Sequence, residues 1–452
     1  MFVPRPPSSG PGGRVLGDRV DSISDLTIAG PRVYPATAQA DLSAPKCLDL
    51  FAGAGGLAVG FREAGWAVVG GNDLDKDAGA TFRLNFPEAV FFEGSVTALT
   101  AELVLRECGL AEGELDCLIG GPPCQSFSYN NHQRSDSDDR ARLFEHYLRI
   151  VRGLKPKTLV MENVPGILTI GGGSVITAIQ AALAAMGYKT SLDVLSAEEF
   201  GTPQVRRRVF IVATRIGQPE ALLPRPTHRS ADARKLKGKK VKGLKKTVTV
   251  LDAIGDLPPL KSGGGLQVAD RAGISAFSGF QRKARRGVRK LYNHVCHGLT
   301  SVNLNRIVHV PEGGNWRDIP RDLLPAGMQR AKLTDHTKRY GRLARRGFAS
   351  TLLTKCDPHW GAYVHPTQDR TISVREAARL QGFPDKFRFA GASLGAHYEQ
   401  VGNAVPVPLA AAVGRAVSDH LVQNAFADEA AGRPSNDESP AATAPTQRRK
   451  AA

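Results

Sequence analysis

The stretch "KCLDLFAGAGGLAVGF", residues 46–61, joins an apolar run to a glycine-rich turn and then to a second apolar segment. The first run predicts a short buried strand, and the segment 58–65 has the residue spacing of a helix. A strand, a tight glycine turn and a helix in this order are typical of the first unit of an open α/β sheet.

The glycines of this turn predict a ligand site. Gly53, Gly55 and Gly56, with Ala58, loosely fit the pattern G-x-G-x-x-A, and Asp73 ends the following strand twenty residues after Gly53. Glycines let backbone N–H groups approach an anion at a helix N-terminus, and the later acid can hold ribose hydroxyls. The pattern indicates a nucleoside cofactor or a plain tight turn, and it does not separate a dinucleotide from S-adenosylmethionine.

Strands and helices alternate beyond this unit. The predicted strands are 46–51, 67–73, 115–121, 158–164 and 206–214. The predicted helices are 58–65, 76–85, 142–154, 175–187, 374–383 and 405–422. This alternation predicts an α/β fold with a doubly wound, mostly parallel sheet.

Composition divides the chain into five segments. We expect a flexible arm over 1–45, a first catalytic segment over 46–216, a basic, loop-rich insert over 217–345, a returning catalytic segment over 346–424 and a disordered tail over 425–452. The insert carries the lysine-rich run "RKLKGKKVKGLKK", which is either a phosphate-binding segment or a solvated loop.

The charge balance favours a polyanionic partner. Sixty Lys and Arg residues against 43 Asp and Glu residues give a net charge of +17. Phosphates are the commonest dense negative surface, although a merely soluble basic protein would have the same balance. The six cysteines are too few for a disulfide framework and lack zinc-site spacing, so we expect no metal and a reducing, cytoplasmic setting. We expect neither a membrane span nor a signal peptide.

Polar residues follow three of the predicted strands. In "GGPPCQSFSY", 120–129, Cys124 is either a buried small side chain or a nucleophile on a loop at the sheet edge. Glu162 and Asn163 end the strand "TLVMEN", and Arg206 and Arg208 share one face at the start of "RRRVFIVAT". A thiolate and a carboxylate on neighbouring strand ends can perform covalent chemistry on an electron-poor ring.

Six motifs in order resemble the DNA cytosine-5 methyltransferase family. They are "DLFAGAGG", "GGPPCQSFS", "ENV", "PQVRRR", "RTISVREAARLQGFPDKF" and "QVGNAVPVP". The resemblance covers about 46–214 and 342–421. It implies a Rossmann-like fold that uses S-adenosylmethionine and acts on double-stranded DNA, with the insert as target-recognition domain.

The resemblance also implies the residues of the cofactor site. They are Phe51, Gly53, Ala54, Gly55, Gly56, Asp73, Leu74, Ser95, Val96, Pro123, Leu143 and Asn403. Two positions depart from the family pattern: Ser95 stands where an acidic residue near the adenine is usual, and Leu74 stands where a bulkier or aromatic side chain is common.

In the implied mechanism Cys124 attacks C6 of a flipped-out cytosine, and Glu162 binds or protonates N3. Arg208 orients the base and the acid, while Arg206 and Gln204 contact the substrate or brace the loop. The other implied substrate contacts are Gln125, Ser128, Arg134 and Asn163.

Several alternatives stay open from the sequence. The chain could methylate cytosine in transfer RNA, although its insert of roughly 130 residues argues against that branch of the family. A catalytically silent DNA-binding relative would not need Cys124 and Glu162, and an NAD-linked oxidoreductase would have no use for the thiol and carboxylate. We expect a monomer, which acts beside a cognate restriction endonuclease or as a solitary methylase.

Overall fold

A computed structural model describes residues 30–39, 41, 43–123, 143–231, 243–271 and 274–432. Its centre is an eight-stranded mixed sheet in the order β1-β4-β3-β2-β5-β6-β8-β7. The strands are β1 (Arg32–Tyr34), β2 (Lys46–Leu50), β3 (Ala67–Asp73), β4 (Val90–Glu93), β5 (Cys117–Gly120), β6 (Thr158–Asn163), β7 (Lys189–Ser196) and β8 (Arg207–Thr214). The pairs among β2 to β6 are parallel, whereas β1 and β8 run antiparallel to their neighbours.

Helices cover both faces of this sheet, as the sequence predicts for a doubly wound α/β fold. In the first part of the chain they are α1 (Gly56–Glu63), α2 (Lys76–Asn85), α3 (Ala101–Cys108), α4 (Leu143–Leu154) and α5 (Ser174–Ala185). In the remainder they are α6 (Val250–Ile254), α7 (Gly279–Ala284), α8 (Ser301–Ile307), α9 (Val374–Leu380), α10 (Leu394–Asn403) and α11 (Val407–Gly432).

Alternating side chains of the strands build two cores. Cys117 and Ile119 of β5 join one apolar cluster, and Leu118 joins the other. Because neighbouring residues of a strand point to opposite faces, both faces of an apolar strand need a covering layer. Helices α1, α2 and α11 supply one layer, and α3, α4 and α5 supply the other.

The returning segment closes the first layer against α1. A Cβ atom at Gly60 would lie 2.3 Å from Cβ of Ala410, so the absence of a side chain at Gly60 allows the close approach of α1 and α11. The indole of Trp66 donates to the carbonyl of Gly414 at 2.9 Å. Segments more than 300 residues apart in sequence therefore pack into one structural unit.

Among its described residues, the insert contains a two-stranded antiparallel sheet, β9 (Gly265–Asp270) with β10 (Lys290–Val295), and three short α-helices. Its residues Val250, Ala253 and Leu257 belong to the same apolar cluster as α9 and α11. Buried charges reinforce this junction: Arg379 of α9 pairs with Asp256 of the insert and with Asp385, and all three side chains are fully buried. The division into separate domains at 217 and 345 stays a prediction.

The structure differs from the sequence predictions at both ends. Arg32–Tyr34, expected within a flexible arm, pairs with β4 as an edge strand. Helix α11 continues to Gly432, beyond the expected end at 424 and into the segment expected to be disordered. Four further elements, β4, β7, α3 and α10, were not predicted, because they are short or carry polar residues at apolar positions.

One stretch, Pro165–Ala185, is long and apolar enough by composition to cross a membrane. It is not one helix, because Ile170, Gly171 and Gly172 have non-helical backbone angles. The straight part, α5, has 12 residues, and at 1.5 Å per residue it reaches about 18 Å, against about 30 Å for a bilayer core.

Candidate active site

A cavity of about 740 Å³ opens at the carboxyl edge of the parallel strands. Residues that follow or end β2, β3, β4, β5 and β6 line it, together with the start of β8 and parts of the returning segment. The chain order reverses between β2 and β5, and ligands of open α/β sheets bind at such a switch point.

The turn between β2 and α1 forms one wall of this cavity. Phe51, Gly53 and Gly55 have positive φ angles of 57°, 53° and 92°. Gly55 is the N-cap residue of α1, and a Cβ atom there would lie 2.7 Å from the ring of Phe86. Glycine is therefore required at Gly55 for backbone conformation and for packing, and Gly55 itself does not line the cavity.

Two carboxylates lie beside this turn. Asp73 accepts a hydrogen bond from the Gly53 N–H at 2.7 Å, which connects the end of β3 to the glycine turn. Asp49 of β2 is 1% exposed and lines the cavity; it accepts from the Ala58 N–H, but its Oδ2 atom has no partner among the described residues. Burial raises the pKa of Asp49 to about 8, and burial also raises the pKa of Asp73.

The wall after β4 is neutral. The Ser95 hydroxyl lies 2.8 Å from that of Thr97, and Val96 is buried. Arg149 of α4 donates a hydrogen bond to the Val96 carbonyl at 2.9 Å, which holds the segment after β4 against α4. Leu74 is 70% exposed at the cavity rim, where an apolar surface faces the ligand space.

The opposite wall carries an ion pair. Arg208 Nε lies 2.6 Å from Glu162 Oε1, and each side chain is only 12% exposed. Burial raises the pKa of Glu162, and the charges of Arg208 and Arg206 act in the opposite direction. A carboxyl group with a raised pKa beside a guanidinium can hold a proton and present it to a ligand.

Arg206 connects two other parts of the wall. Its guanidinium donates to the carbonyls of Leu352 and Gly402, both at 2.9 Å. Burial lowers its pKa to about 9. A Cβ atom at Gly402 would lie 2.3 Å from the Leu353 carbonyl oxygen, so the segment 351–354 rests directly on the backbone of α10. Arg206 therefore holds the returning segment in place at the cavity.

Asn163 and Gln204 use their amides within the protein. Asn163 donates to the Pro122 carbonyl at 2.8 Å, which orients the segment that leads to Cys124. Gln204 is fully buried, and its amide contacts Leu352 N and the Gln381 side chain, each at 3.0 Å. In the described structure Gln204 braces the returning segment and does not line the cavity; a substrate contact of Gln204 stays a prediction.

Most of the predicted site residues meet in this cavity. Its lining includes Phe51, Gly53, Ala54, Gly56, Asp73, Leu74, Ser95, Val96, Pro123, Leu143, Asn403, Glu162, Asn163, Arg206 and Arg208. Cys124, Gln125, Ser128 and Arg134 lie outside the described residues.

The sequence analysis missed Asp49, Glu399 and Gln400, which also line the cavity. A carboxylate inside an otherwise apolar strand was the available signal for Asp49. For Glu399, the available signal was its i, i+4 spacing to Asn403 on α10. Among the described residues, no group of three or more His, Cys, Asp or Glu side chains could hold a metal ion.

The chain is similar to known DNA methyltransferases. The chain is 32% identical to the Type II methyltransferase M.AgeI of Thalassovita gelatinovora, covering 83% of this chain and 99% of that protein. It is 34% identical to M.XorII of Xanthomonas oryzae pv. oryzae, covering 82% and 84%. It is also 32% identical to DNA (cytosine-5)-methyltransferase 4 of Arabidopsis thaliana, but there it spans only 28% of the relative's length.

A solved structure described as a DNA modification methyltransferase encoded within an E. coli prophage superposes with a TM-score of 0.63 at 25% identity, covering 84% of this chain and all of that one. The family model described as C-5 cytosine-specific DNA methylase matches residues 45–419. Because this match extends over most of the chain, it shows that the chain belongs to the C-5 cytosine-specific DNA methylase family.

Proposed function

We propose that this chain transfers a methyl group from S-adenosylmethionine to C5 of a flipped-out cytosine in double-stranded DNA. The observation that carries the proposal is the shared cavity. The Glu162–Arg208 ion pair, the Asp73-linked glycine turn and Pro123, which directly precedes Cys124, all line the same space. A methyl donor and a base that are both bound in this cavity would lie next to each other.

The cavity suits S-adenosylmethionine in size and in chemistry. Small-molecule sites usually measure about 300–1,000 Å³, and this cavity lies within that range. The unpartnered Oδ2 atom of Asp49 and the carboxylate of Asp73 suit a ligand that carries an ammonium group and ribose hydroxyls. The glycine turn at the start of α1 suits a carboxylate. When bound, S-adenosylmethionine supplies an electrophilic methyl group.

Cys124 is the proposed nucleophile. C5 of cytosine is too weak a nucleophile to accept a methyl group directly. Attack of the Cys124 thiolate on C6 forms an Sγ–C6 bond and moves the electron pair of the C5–C6 double bond onto C5, which can then form a bond to carbon. Loss of the C5 proton and cleavage of the Sγ–C6 bond afterwards restore the ring and the thiolate.

Glu162 is the proposed acid of this reaction. Negative charge develops on the ring as sulfur attacks, and a proton held at N3 neutralises that charge. Because burial raises the pKa of Glu162, its carboxyl group keeps a proton to a higher pH than an exposed one does. Arg208 fixes the carboxyl group through Oε1, so the second oxygen is available to the base.

The substrate must reach this cavity as an extruded base, since C5 and C6 are inaccessible within a stacked duplex. The net charge of +17 favours a polyanion, and the basic insert would supply phosphate contacts. The Type II methyltransferase relatives support a role beside a restriction endonuclease that acts on the same site.

The direct test is incubation of the purified protein with S-adenosylmethionine carrying an isotope-labelled methyl group and duplex DNA from a methylation-free host. Mass spectrometry of the digested nucleosides should find labelled 5-methylcytosine in DNA and none in transfer RNA offered under the same conditions. Label in transfer RNA alone, or in adenine, would contradict the proposal.

A further inference from the structure

A closed loop extends from the cavity wall towards the insert. Leu353 and Thr354 line the cavity, and the Leu353 N–H donates to the Tyr363 hydroxyl at 2.9 Å. This bond joins the two ends of the segment 353–363. The loop base is thus part of the candidate active site, and its tip lies some residues away.

The tip is a turn over Asp357–Trp360, held on both sides. The Trp360 N–H donates to the Asp357 carbonyl at 2.9 Å, and the His359 N–H donates to the Asp357 side chain at 2.7 Å. From the insert, the Tyr340 N–H donates to the Pro358 carbonyl at 2.6 Å, and the ring of Tyr340 meets the edge of His359. The turn is therefore held by contacts within the protein itself.

The side chains at this tip are unusual for a surface. Trp360 is 53% exposed, whereas the other two tryptophans of the chain, Trp66 and Trp316, are each 3% exposed. The Trp360 indole N–H has no hydrogen-bond partner among the described residues, and the Arg339 guanidinium lies 6.0 Å from the ring centre. Burial and the neighbouring Arg339 lower the pKa of His359, so its ring is neutral and can both donate and accept a hydrogen bond.

The charge around the tip and its distance from the cavity indicate that the tip contacts the duplex whose extruded base enters the cavity. Arg339 lies beside the tip, and Lys338 and Lys355 are close to Arg339 and to the tip in sequence; these positive charges favour a phosphate-bearing partner. Trp360 is the sixth residue after Thr354, so the tip lies at most ~20 Å from the cavity wall. A duplex with a base in the cavity extends farther than this in both directions, and its major groove, ~12 Å wide, admits such a turn.

We infer that the Asp357–Trp360 turn is a base-reading element outside the insert and next to it: Trp360 and His359 contact base edges beside the target cytosine, and Arg339 of the insert contacts a phosphate. The inference rests on the proposed function. It assigns sequence selectivity to a rigid turn next to the cavity.

The first test maps methylated sites in a methylation-free host that expresses the wild type, Trp360→Ala, Trp360→Phe or His359→Ala. The wild type should methylate a defined motif. Each variant should relax one or two positions of that motif, with discrimination against single-base changes falling about tenfold or more. If all three variants methylate the wild-type motif with the wild-type discrimination, the inference is wrong and the proposed function still holds. A wild type that makes no 5-methylcytosine would remove both.

The second test needs no variant for its main readout. Since Trp360 is the exposed tryptophan, iodide should quench its fluorescence in the free protein, and duplex DNA with the mapped motif should protect it. Undiminished quenching in the complex would contradict the inference. Arg339→Ala should reduce the salt dependence of DNA binding by about one phosphate contact, while the matched change Arg152→Ala, at the exposed far end of α4, should leave it unchanged.

Discussion

Arg208 Nε and Glu162 Oε1 lie 2.6 Å apart on neighbouring antiparallel strands, and each side chain keeps only 12% of its surface exposed. The position of the Glu162 carboxyl group is therefore fixed both by its own strand, β6, and by Arg208 of the paired strand β8. Arg208 contacts one oxygen of the Glu162 carboxyl group, and burial raises the pKa of that group. The proposed acid role of Glu162 depends on this arrangement.

Glu162→Gln should lower the single-turnover rate of methyl transfer by about 10²–10⁴-fold, because the amide cannot give up a proton to N3. Wild-type activity should fall as pH rises through the raised pKa of Glu162, since the protonated form is the active one. The variant should lack that decline. Binding of S-adenosylhomocysteine, measured by calorimetry, should stay near the wild-type value, and Glu220→Gln, an exposed site, should leave the rate unchanged. A Gln variant of near-normal rate would remove Glu162 from the mechanism.

Asp49→Asn should change how stability depends on pH. The folded protein holds the Asp49 proton up to about pH 8, whereas an unfolded chain releases it near ~3.9. The stabilising contribution of this group is thus present at low pH and is lost as pH rises towards 8. Urea unfolding at pH 5 to 8 should show the wild type losing stability relative to Asp49→Asn. Asp193→Asn, at an exposed position of β7, should track the wild type; a pH-independent gap for Asp49→Asn would contradict the assignment.

Gly402→Ala should displace the segment 351–354, because a Cβ atom there would lie 2.3 Å from the Leu353 carbonyl oxygen and 2.7 Å from Thr354 N. We expect methyl transfer to fall by about 100-fold, as small displacements of active-site groups can have effects of that size. Gly395→Ala lies in the same helix and meets nothing nearer than 3.5 Å, so it should retain activity. Equal activity of the two variants, measured as labelled methyl groups in DNA, would refute this account of the contact.

Arg379→Ala should destabilise the protein by about 3–5 kcal/mol, since it leaves the fully buried carboxylates of Asp256 and Asp385 without their main partner. The comparison is Arg106→Ala, whose side chain is 68% exposed and pairs with Glu107; that change should have an effect of about 0–1 kcal/mol. Urea denaturation of both variants measures the difference. Similar losses for both would mean that this junction does not stabilise the fold.

Much of the fold could be predicted because its strands are short apolar runs separated by glycine turns. The pattern identified β2, β3, β5, β6 and β8, and it placed Arg206 and Arg208 on one face. It missed β7, whose residues Thr190, Ser191 and Asp193 look like a loop and are ordered by pairing with β8. The pairing with β8, which the local sequence pattern does not encode, makes these residues a strand.

The site was predictable where strand ends carry unusual residues, and not where distant segments meet. Asp73 and Glu162 each end an apolar strand, and both line the cavity. The bracing role of Gln204 depends on Gln381, which is 177 residues away, and no local signal indicates that contact. The turn that carries Trp360 is likewise defined by Tyr340 and Tyr363 rather than by its own sequence.

The central claim is that Cys124 bonds covalently to the cytosine ring while Glu162 assists. Duplex DNA with 5-fluorocytosine at the methylated position should form a stable adduct with the protein in the presence of S-adenosylmethionine, because fluorine at C5 blocks the final elimination. Mass spectrometry of the digested adduct should locate the modification on the peptide that contains Cys124, and Cys124→Ser should give no adduct. An adduct on another residue, or methylation at the wild-type rate by Cys124→Ser, would contradict the account.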